Sequence, residues 1–263
     1  MLCLVEIELP VPFSPHFSNT FSVSRHCSGT QENIRKTTEM NKTILITGAS
    51  KGIGFALVNK FLENGFNVIG TSTSGKISGI ENENFEVLQL NLSELKNIEL
   101  IKKEFEKTGT KIDILINNAG IGPDLDTNNP EENTFKETFD VNVIGTTFLT
   151  ESLIENINNE GKIINISSKM GSIELCERID SVAYRMSKTA LNMYTKILSN
   201  RLSEKIKVAS IHPGWVRTTI AKSNITEGRL SAEESANGIF NFVVSDFKTG
   251  MFWDIESQTE SKW

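Results

Sequence analysis

Thr43-Ile44-Leu45-Ile46-Thr47-Gly48-Ala49-Ser50-Lys51-Gly52-Ile53-Gly54-Phe55-Ala56-Leu57-Val58 is the stretch that decides how this chain folds. A short apolar run enters a turn with glycines at 48, 52 and 54, and a helical pattern leaves it. Glycine permits the tight turn and lets backbone approach closely. The helix that follows points free N–H groups and the positive end of its dipole at whatever lies in the turn. Taken alone, such a turn is also an ordinary strand-to-helix connection. The strand before it and the helix after it select the alternative, a pyrophosphate cradle formed by Gly48, Ser50, Lys51, Gly52, Ile53 and Gly54.

Outward from this unit, apolar runs alternate with amphipathic stretches. Strands are expected at Thr43–Thr47, Asn67–Gly70, Glu86–Leu90, Ile112–Ile116, Lys162–Ile166, Lys207–Ile211 and Gly250–Asp254. Helices are expected at Gly52–Glu63, Glu94–Lys107, Glu131–Phe139, Asn142–Glu155, Val182–Leu202 and Ala232–Val244. Ser93 with Glu94, and Ser231 with Glu233 and Glu234, offer cap-plus-acid helix starts, while Gly65 and Gly109 offer stops. The pattern predicts an α/β fold: a single-domain, Rossmann-type, doubly wound parallel sheet of about seven strands with helices on both faces.

Residues 41–263 read as this one domain. Residues 1–40 carry Pro10, Pro12 and Pro15 among Ser, Thr and Asn, without hydrophobic periodicity, and Met40 directly precedes the first strand. They read as a disordered extension or an upstream start. Organellar import is the weaker reading, because Glu6 and Glu8 sit where transit peptides avoid acids.

Composition excludes several classes. The 263 residues carry a net charge of −6, with 38% hydrophobic and 23% charged residues, and no basic stripe suggests nucleic acid. No apolar run approaches the roughly 18 residues that a membrane span needs. Three cysteines (Cys3, Cys27, Cys176) and three histidines, widely spaced, argue against a disulfide framework or a metal site and favour a cytoplasmic setting.

The second strand leads into Thr71-Ser72-Thr73-Ser74, with no acid to bind ribose hydroxyls. Hydroxyls such as that of Thr73 tolerate a 2′-phosphate that an acid would repel, and Lys51 adds a nearby cation, so NADP(H) is expected over NAD(H). A merely polar loop is the alternative. Asn118-Ala119-Gly120 and Asn91-Leu92 lie at further strand ends, where open α/β sheets bind ligands.

Ser167 and Ser168 close the fifth strand, and Asn142 interrupts an apolar helix. Tyr184 and Lys188 are spaced to share one face of a helix. A cation beside a phenol lowers its pKa from about 10, which makes Tyr184 a candidate proton donor and acceptor. Ser168 is preferred over Ser167 as the polar group at the strand end, since a one-residue shift reverses side-chain direction.

Together these segments resemble the short-chain dehydrogenase/reductase superfamily, classical type. The resemblance rests on Thr47–Gly54, Asn117-Asn118-Ala119-Gly120, Asn142, Ser168, Tyr184 with Lys188, and Pro213-Gly214-Trp215-Val216-Arg217-Thr218. Tyr184-Arg185-Met186-Ser187-Lys188, His212-Pro213-Gly214-Trp215 and Gly250-Met251-Phe252-Trp253-Asp254, with the ending at Trp263, are most similar to C-factor and sniffer-type carbonyl reductases.

The resemblance implies Tyr184 as general acid, Ser168 on the substrate oxygen and Asn142 on a water. It implies Lys188 on the nicotinamide ribose, and cofactor contacts at Thr73, Asn91, Leu92, Asn118, Ala119, Gly120, Pro213, Gly214, Val216 and Thr218. Asn91 departs from the Asp of many relatives, and the Ser168-to-Tyr184 spacing is longer than the commonest one. The implied activity is NADPH-dependent reduction of a small-molecule carbonyl to an alcohol by a homodimer or homotetramer. A 3-oxoacyl thioester reductase and a non-catalytic nucleotide-binding signalling protein are the alternatives. Residues 122–129, 170–180 and 220–230 are the expected substrate wall, and no residue type in them names a substrate.

Overall fold

The computed structural model describes residues 42–263, so the reading of residues 1–40 as an extension lies outside the described residues. The strands are β1 (Thr43–Ile46), β2 (Asn67–Ser72), β3 (Phe85–Gln89), β4 (Ile112–Asn117), β5 (Ile157–Ile166), β6 (Lys207–His212), β7 (Met251–Asp254) and β8 (Thr259–Glu260). The helices are α1 (Gly52–Glu63), α2 (Leu95–Thr108), α3 (Glu132–Phe139), α4 (Thr146–Leu153), α5 (Val182–Leu202), α6 (Lys222–Glu227) and α7 (Ala232–Val244).

All these strands form one sheet in the order β3-β2-β1-β4-β5-β6-β7-β8. Pairing is parallel from β3 through β7, and only β8 runs antiparallel, against β7. The chain winds one way from β1 through β2 to β3, then returns to lay β4 on the other side of β1. The crevice between the C-terminal ends of β1 and β4 is therefore the topological switch point.

Strands buried on both faces need apolar residues in unbroken runs, which is why β1 and β4 read as they do. Ile44, Ile46, Ile114 and Ile116 pack with α1 and α7, around Phe61, Phe66 and Phe240. Phe61 meets Phe66 and Phe240 edge-on, with centroids 4.9 and 5.0 Å apart. Leu45, Leu115, Ile163 and Val208 pack on the opposite face against α2, α4 and α5.

Several boundaries differ from expectation. The helix expected over 142–155 is not a separate element. A π-helical turn, Asp140–Gly145, joins α3 to α4, and a 3-10 turn follows. Thr146 Oγ1 donates to the Val141 carbonyl at 3.1 Å, a side-chain bond across the same wide turn. Strand β5 begins five residues early and bulges, with Glu160 at φ +65°. The two cap signals also part company. Ser231 and Glu234 form a reciprocal capping box, whereas the Ser93 hydroxyl donates to Asn91 Oδ1 and α2 starts without a side-chain cap. Helix α6 and strand β8 lay in segments without an expected element.

Candidate active site

The switch-point crevice is built by contact between the first turn and the end of β4. Thr47 Oγ1 accepts the N–H groups of Asn118 and Ala119, both at 3.0 Å. Asn118 Nδ2 donates back to the carbonyls of Thr47 and Gly48, at 2.9 and 3.1 Å. These bonds bring the backbones so close that side chains do not fit. A Cβ at Gly48, which sits at φ +65°, would lie 2.8 Å from Ala119 Cα, and one at Gly54 would overlap the Gly48 carbonyl and stand 2.6 Å from Asn118 Nδ2. Gly52, at φ +57°, faces Thr218 Cγ2, so the segment after β6 closes against the same turn. Ser50 and Lys51 are exposed on its rim. A glycine-lined cradle at a helix N-terminus, floored by main-chain amides, fits a dinucleotide pyrophosphate.

The second cluster lies at the ends of β4 and β5 and on α5. Asn142, 1% exposed, holds the Ile121 main chain from both sides: Ile121 N–H donates to Oδ1 at 2.9 Å and Nδ2 donates to the Ile121 carbonyl at 2.8 Å. The same Nδ2 reaches Ser187 Oγ at 3.1 Å, and Ser187 in turn donates to the Tyr184 carbonyl. Lys188 Nζ donates to the Ile166 carbonyl at 2.9 Å and lies 5.6 Å from the Tyr184 ring centre. A Cβ at Gly120 would be 3.3 Å from both Asn142 Oδ1 and Lys188 Nζ, which places the two polar groups side by side over the β4 end.

Ser168 Oγ accepts Met170 N–H at 3.1 Å, and its hydroxyl bears on the Tyr184 phenol in the direction that favours ionisation. Ser167 points the other way, its hydroxyl 3.4 Å from the Lys188 carbonyl. The strand-end alternation thus separates the two serines.

The electrostatics differ from the expected lowering of the Tyr184 pKa. Burial pushes the phenol up to about 12; the Ser168 hydroxyl opposes this and the Asp124 charge adds to it. Burial also brings Lys188 down to about 8. In this enclosed site, desolvation outweighs the attraction between a phenolate and a cation on the same helix face. At neutral pH the pair is a neutral phenol beside an ammonium, poised to give a proton.

The remaining predicted residues are spread more loosely. Thr73 is exposed, while Thr71 and Ser72 are buried; Ser72 and Ser74 bond each other and the Lys76 main chain. Asn91 is occupied locally: Nδ2 donates to Glu94 and Oδ1 accepts from Ser93. Leu92 and Ile53 pack on the core. Pro213 accepts from Ser235 Oγ at 2.7 Å, Gly214 adopts φ +89°, and Val216 is buried with its carbonyl accepting from Asn224 at 3.0 Å.

Two of the three segments of the expected substrate wall, 122–129 and 220–230, are hydrogen-bonded to each other, and the first also holds Ser181, the residue after the third. Asp126 Oδ2 accepts from Ser223 Oγ at 2.8 Å, and Asp126 N–H donates to Ser181 Oγ at 3.2 Å. Ile173, Leu175, Ile179 and Ile225 are exposed along these segments. Sequence reasoning missed Asp124, a carboxylate 2% exposed that accepts from the amides opening α5. An acid four residues after Gly120 gave no local signal, because its partners are some 60 residues away.

Comparison with known proteins follows the same lines. The family described as short chain dehydrogenase matches residues 42–228. A short-chain dehydrogenase/reductase from Burkholderia multivorans, solved with bound NADP, superposes with a TM-score of 0.76 at 26% identity, over 85% of this chain and 100% of that one. Carbonyl reductase Sniffer of Drosophila melanogaster superposes with a TM-score of 0.72 at 25% identity, over 85% and 100% of the two chains. The 3-ketoacyl-(acyl-carrier-protein) reductase of Brucella melitensis, solved with NADH, gives 0.70 at 26% identity, over 82% and 96%.

Proposed function

Because the chain belongs to the short-chain dehydrogenase family, and is therefore an NAD(P)-dependent oxidoreductase, we propose that it reduces an aldehyde, ketone or quinone to the alcohol with NADPH. The observation that carries this reading is the buried phenol of Tyr184 with the Lys188 ammonium 5.6 Å from its ring centre and Ser168 bearing on its ionisation. NADPH, when bound, supplies hydride to the carbonyl carbon. Ser168 holds the carbonyl oxygen, and Tyr184 delivers its proton to that oxygen as negative charge builds on it. Lys188, with Asn142 beside it, keeps a positive charge near the phenol and would hold the nicotinamide ribose. The Gly48–Gly54 turn, Asn118–Gly120 and Pro213–Thr218 hold the rest of the cofactor.

The choice of NADPH over NADH rests on the absence of an acid after β2 and on the exposed Thr73 and Lys51. Relatives bind both cofactors, so the ratio of the two affinities is the direct test. Phe148 on α4 and Met193 and Ile197 on α5 stand more than half exposed, and we assign this apolar face to a homodimer or homotetramer, to be checked by light scattering. Among the described residues no helix is long and apolar enough to cross a membrane. A cytoplasmic setting is part of the same proposal.

Purified protein is expected to consume NADPH with members of a carbonyl panel. Binding of NADPH with no turnover across that panel would overturn the reductase reading in favour of a nucleotide-binding signalling role. A 3-oxoacyl thioester turned over far better than a simple diketone would favour the acyl reductase, which the likeness to the Brucella enzyme keeps in view. Tyr184→Phe is expected to lower kcat by about 10²–10⁴-fold with NADPH binding intact, the usual span for a lost general acid. A fully active variant would remove Tyr184 from the proton transfer.

A further inference from the structure

We propose that Asp124 is a positioning residue for Tyr184: from the loop after β4 its buried carboxylate closes the N-terminus of α5 and holds the phenol in place and in its proton-bearing form. This rests on the reading of Tyr184 as proton donor.

The start of α5 cannot cap itself. Ser181, at the N-cap, adopts φ +57° and its side chain makes no cap hydrogen bond. The first amides of the helix carry Tyr184 with them and need an acceptor. Asp124 supplies it from a different segment. Oδ2 accepts Ala183 N–H at 2.7 Å, and both carboxylate oxygens lie 3.2 Å from Tyr184 N.

The loop that carries Asp124 is itself fixed. Leu125 N–H donates to the Gly122 carbonyl, and Thr127 donates to the Asp124 carbonyl from both its N–H and its hydroxyl. Ser181 N–H reaches the Thr127 carbonyl at 2.8 Å, and Ser181 Oγ accepts Asp126 N–H. Gly122 lies against the phenol ring, since a Cβ there would be 3.0 Å from Tyr184 Cδ2. The loop therefore touches both the backbone and the ring of Tyr184.

A neutral cap would fix the helix equally well. A carboxylate does more, because charge in a dry site acts strongly on a neighbouring titratable group. The charged groups bearing on Tyr184 come from two elements: Asp124 from the loop after β4 and Lys188 from α5 itself. Ser168, after β5, bears on it without a charge. Asp124 opposes loss of the phenol proton and Ser168 favours it.

The chain contains two tyrosines, and burial with the neighbouring Glu151 pushes Tyr194 above its ordinary range. Labelling both with ¹³C at Cζ and following them by NMR through alkaline pH reads the Tyr184 phenol directly, with Y184F identifying its resonance. In D124N, which keeps an acceptor oxygen and removes the charge, the Tyr184 midpoint is expected to fall by about one pH unit or more. D124S, which retains a hydroxyl able to cap amides, is expected to shift it the same way and gives a second charge-free variant should D124N fold poorly. D124E, retaining charge, should restore most of the shift.

In turnover, D124N is expected to lower kcat about tenfold, because a loosened helix start misplaces the phenol, while the NADPH Kd changes by less than about twofold. An unchanged Tyr184 midpoint in both charge-free variants would overturn the proposal. So would a loss of NADPH binding parallel to the loss of kcat, which is the mark of a purely structural cap. The phenol titration needs no substrate, so a wild-type protein that reduces nothing would sink the reductase reading while leaving the Asp124 result to be read on its own.

Discussion

The buried cluster of Asn142, Ser168, Tyr184 and Lys188 and the exposed rim of Ser50, Lys51 and Thr73 lie along the same C-terminal edge of the sheet, yet they are built on different terms. Residues in the first are held by other elements: Asn142 by Ile121 and Ser187, Lys188 by the β5 end, the Tyr184 backbone by the loop after β4. The rim side chains stand in solvent. In the cluster, position and protonation are fixed before any ligand arrives, which is what proton delivery needs. On the rim, a side chain needs only to be of the right charge and within reach. Changes in the two regions should therefore differ in kind as well as in size.

The largest effect is expected at the floor that supports the buried region. Gly54→Ala places a methyl group inside the Gly48 carbonyl and against Asn118, both of them tied into the crevice. Overpacking against backbone that cannot give should cost about 3 kcal/mol or more. For a domain of this size that lowers Tm by about 6–12 °C, measurable by calorimetry. NADPH binding should be lost as well. Ser50→Ala, four residues away on the rim, should stay within about 0.5 kcal/mol of wild type. Equal effects from the two substitutions would erase the distinction between floor and rim.

Lys188 sharpens the comparison through pH. Burial holds its ammonium near 8 instead of 10.5, while the phenol keeps its proton to about 12. Reductase activity should therefore fall as pH rises through about 8, from loss of the cation and not of the proton donor. Stability should move the opposite way. Between about 8 and 10.5 the unfolded chain still binds a proton at Lys188 that the folded protein has released, so the unfolding free energy contributed by this site rises with pH. Lys188→Met should abolish that rising segment in denaturant titrations and lower kcat by about 10²-fold. A variant that loses activity but keeps the slope would assign the alkaline behaviour to another group.

What the sequence disclosed divides along similar lines. The β1–turn–α1 unit was legible because its constraints are local: glycines at positive φ, an unbroken apolar strand, and a helix with an apolar face. Asn142 was legible as a polar residue out of place in an apolar helix, although the π-helical turn that aims it was not. That turn depends on Ile121 and on the close approach of Gly145 to Leu92, neither of which is a neighbour in sequence. Ser93 and Ser231 sent the same cap signal and met different fates, because Asn91 captured one hydroxyl and nothing competed for the other. The lowered Tyr184 pKa expected from the Lys188 spacing failed for a related reason. An i, i+4 pair is visible in sequence, but the depth at which it is buried is not, and depth decided the sign. Asp124 was invisible because its meaning lies wholly in a helix that begins 58 residues later.

The smallest expected effect lies on the rim and concerns which cofactor is taken. Thr71 is buried and accepts Gly48 N–H, and the Ser72 and Ser74 hydroxyls already serve the Lys76 main chain, so three of the four hydroxyls from Thr71 to Ser74 are committed internally. That leaves Thr73 and the Lys51 cation as the groups open to a 2′-phosphate. An exposed ammonium acts through solvent and salt, so its influence is modest and falls as ionic strength rises. Lys51→Ala should therefore weaken NADPH binding about three- to tenfold at low salt, with less effect near physiological salt and none on NADH. Fluorescence titration of both cofactors at two salt concentrations measures this. An equal loss for NADH would mean that Lys51 serves the pyrophosphate common to both, and the rim would then hold the cofactor without choosing it.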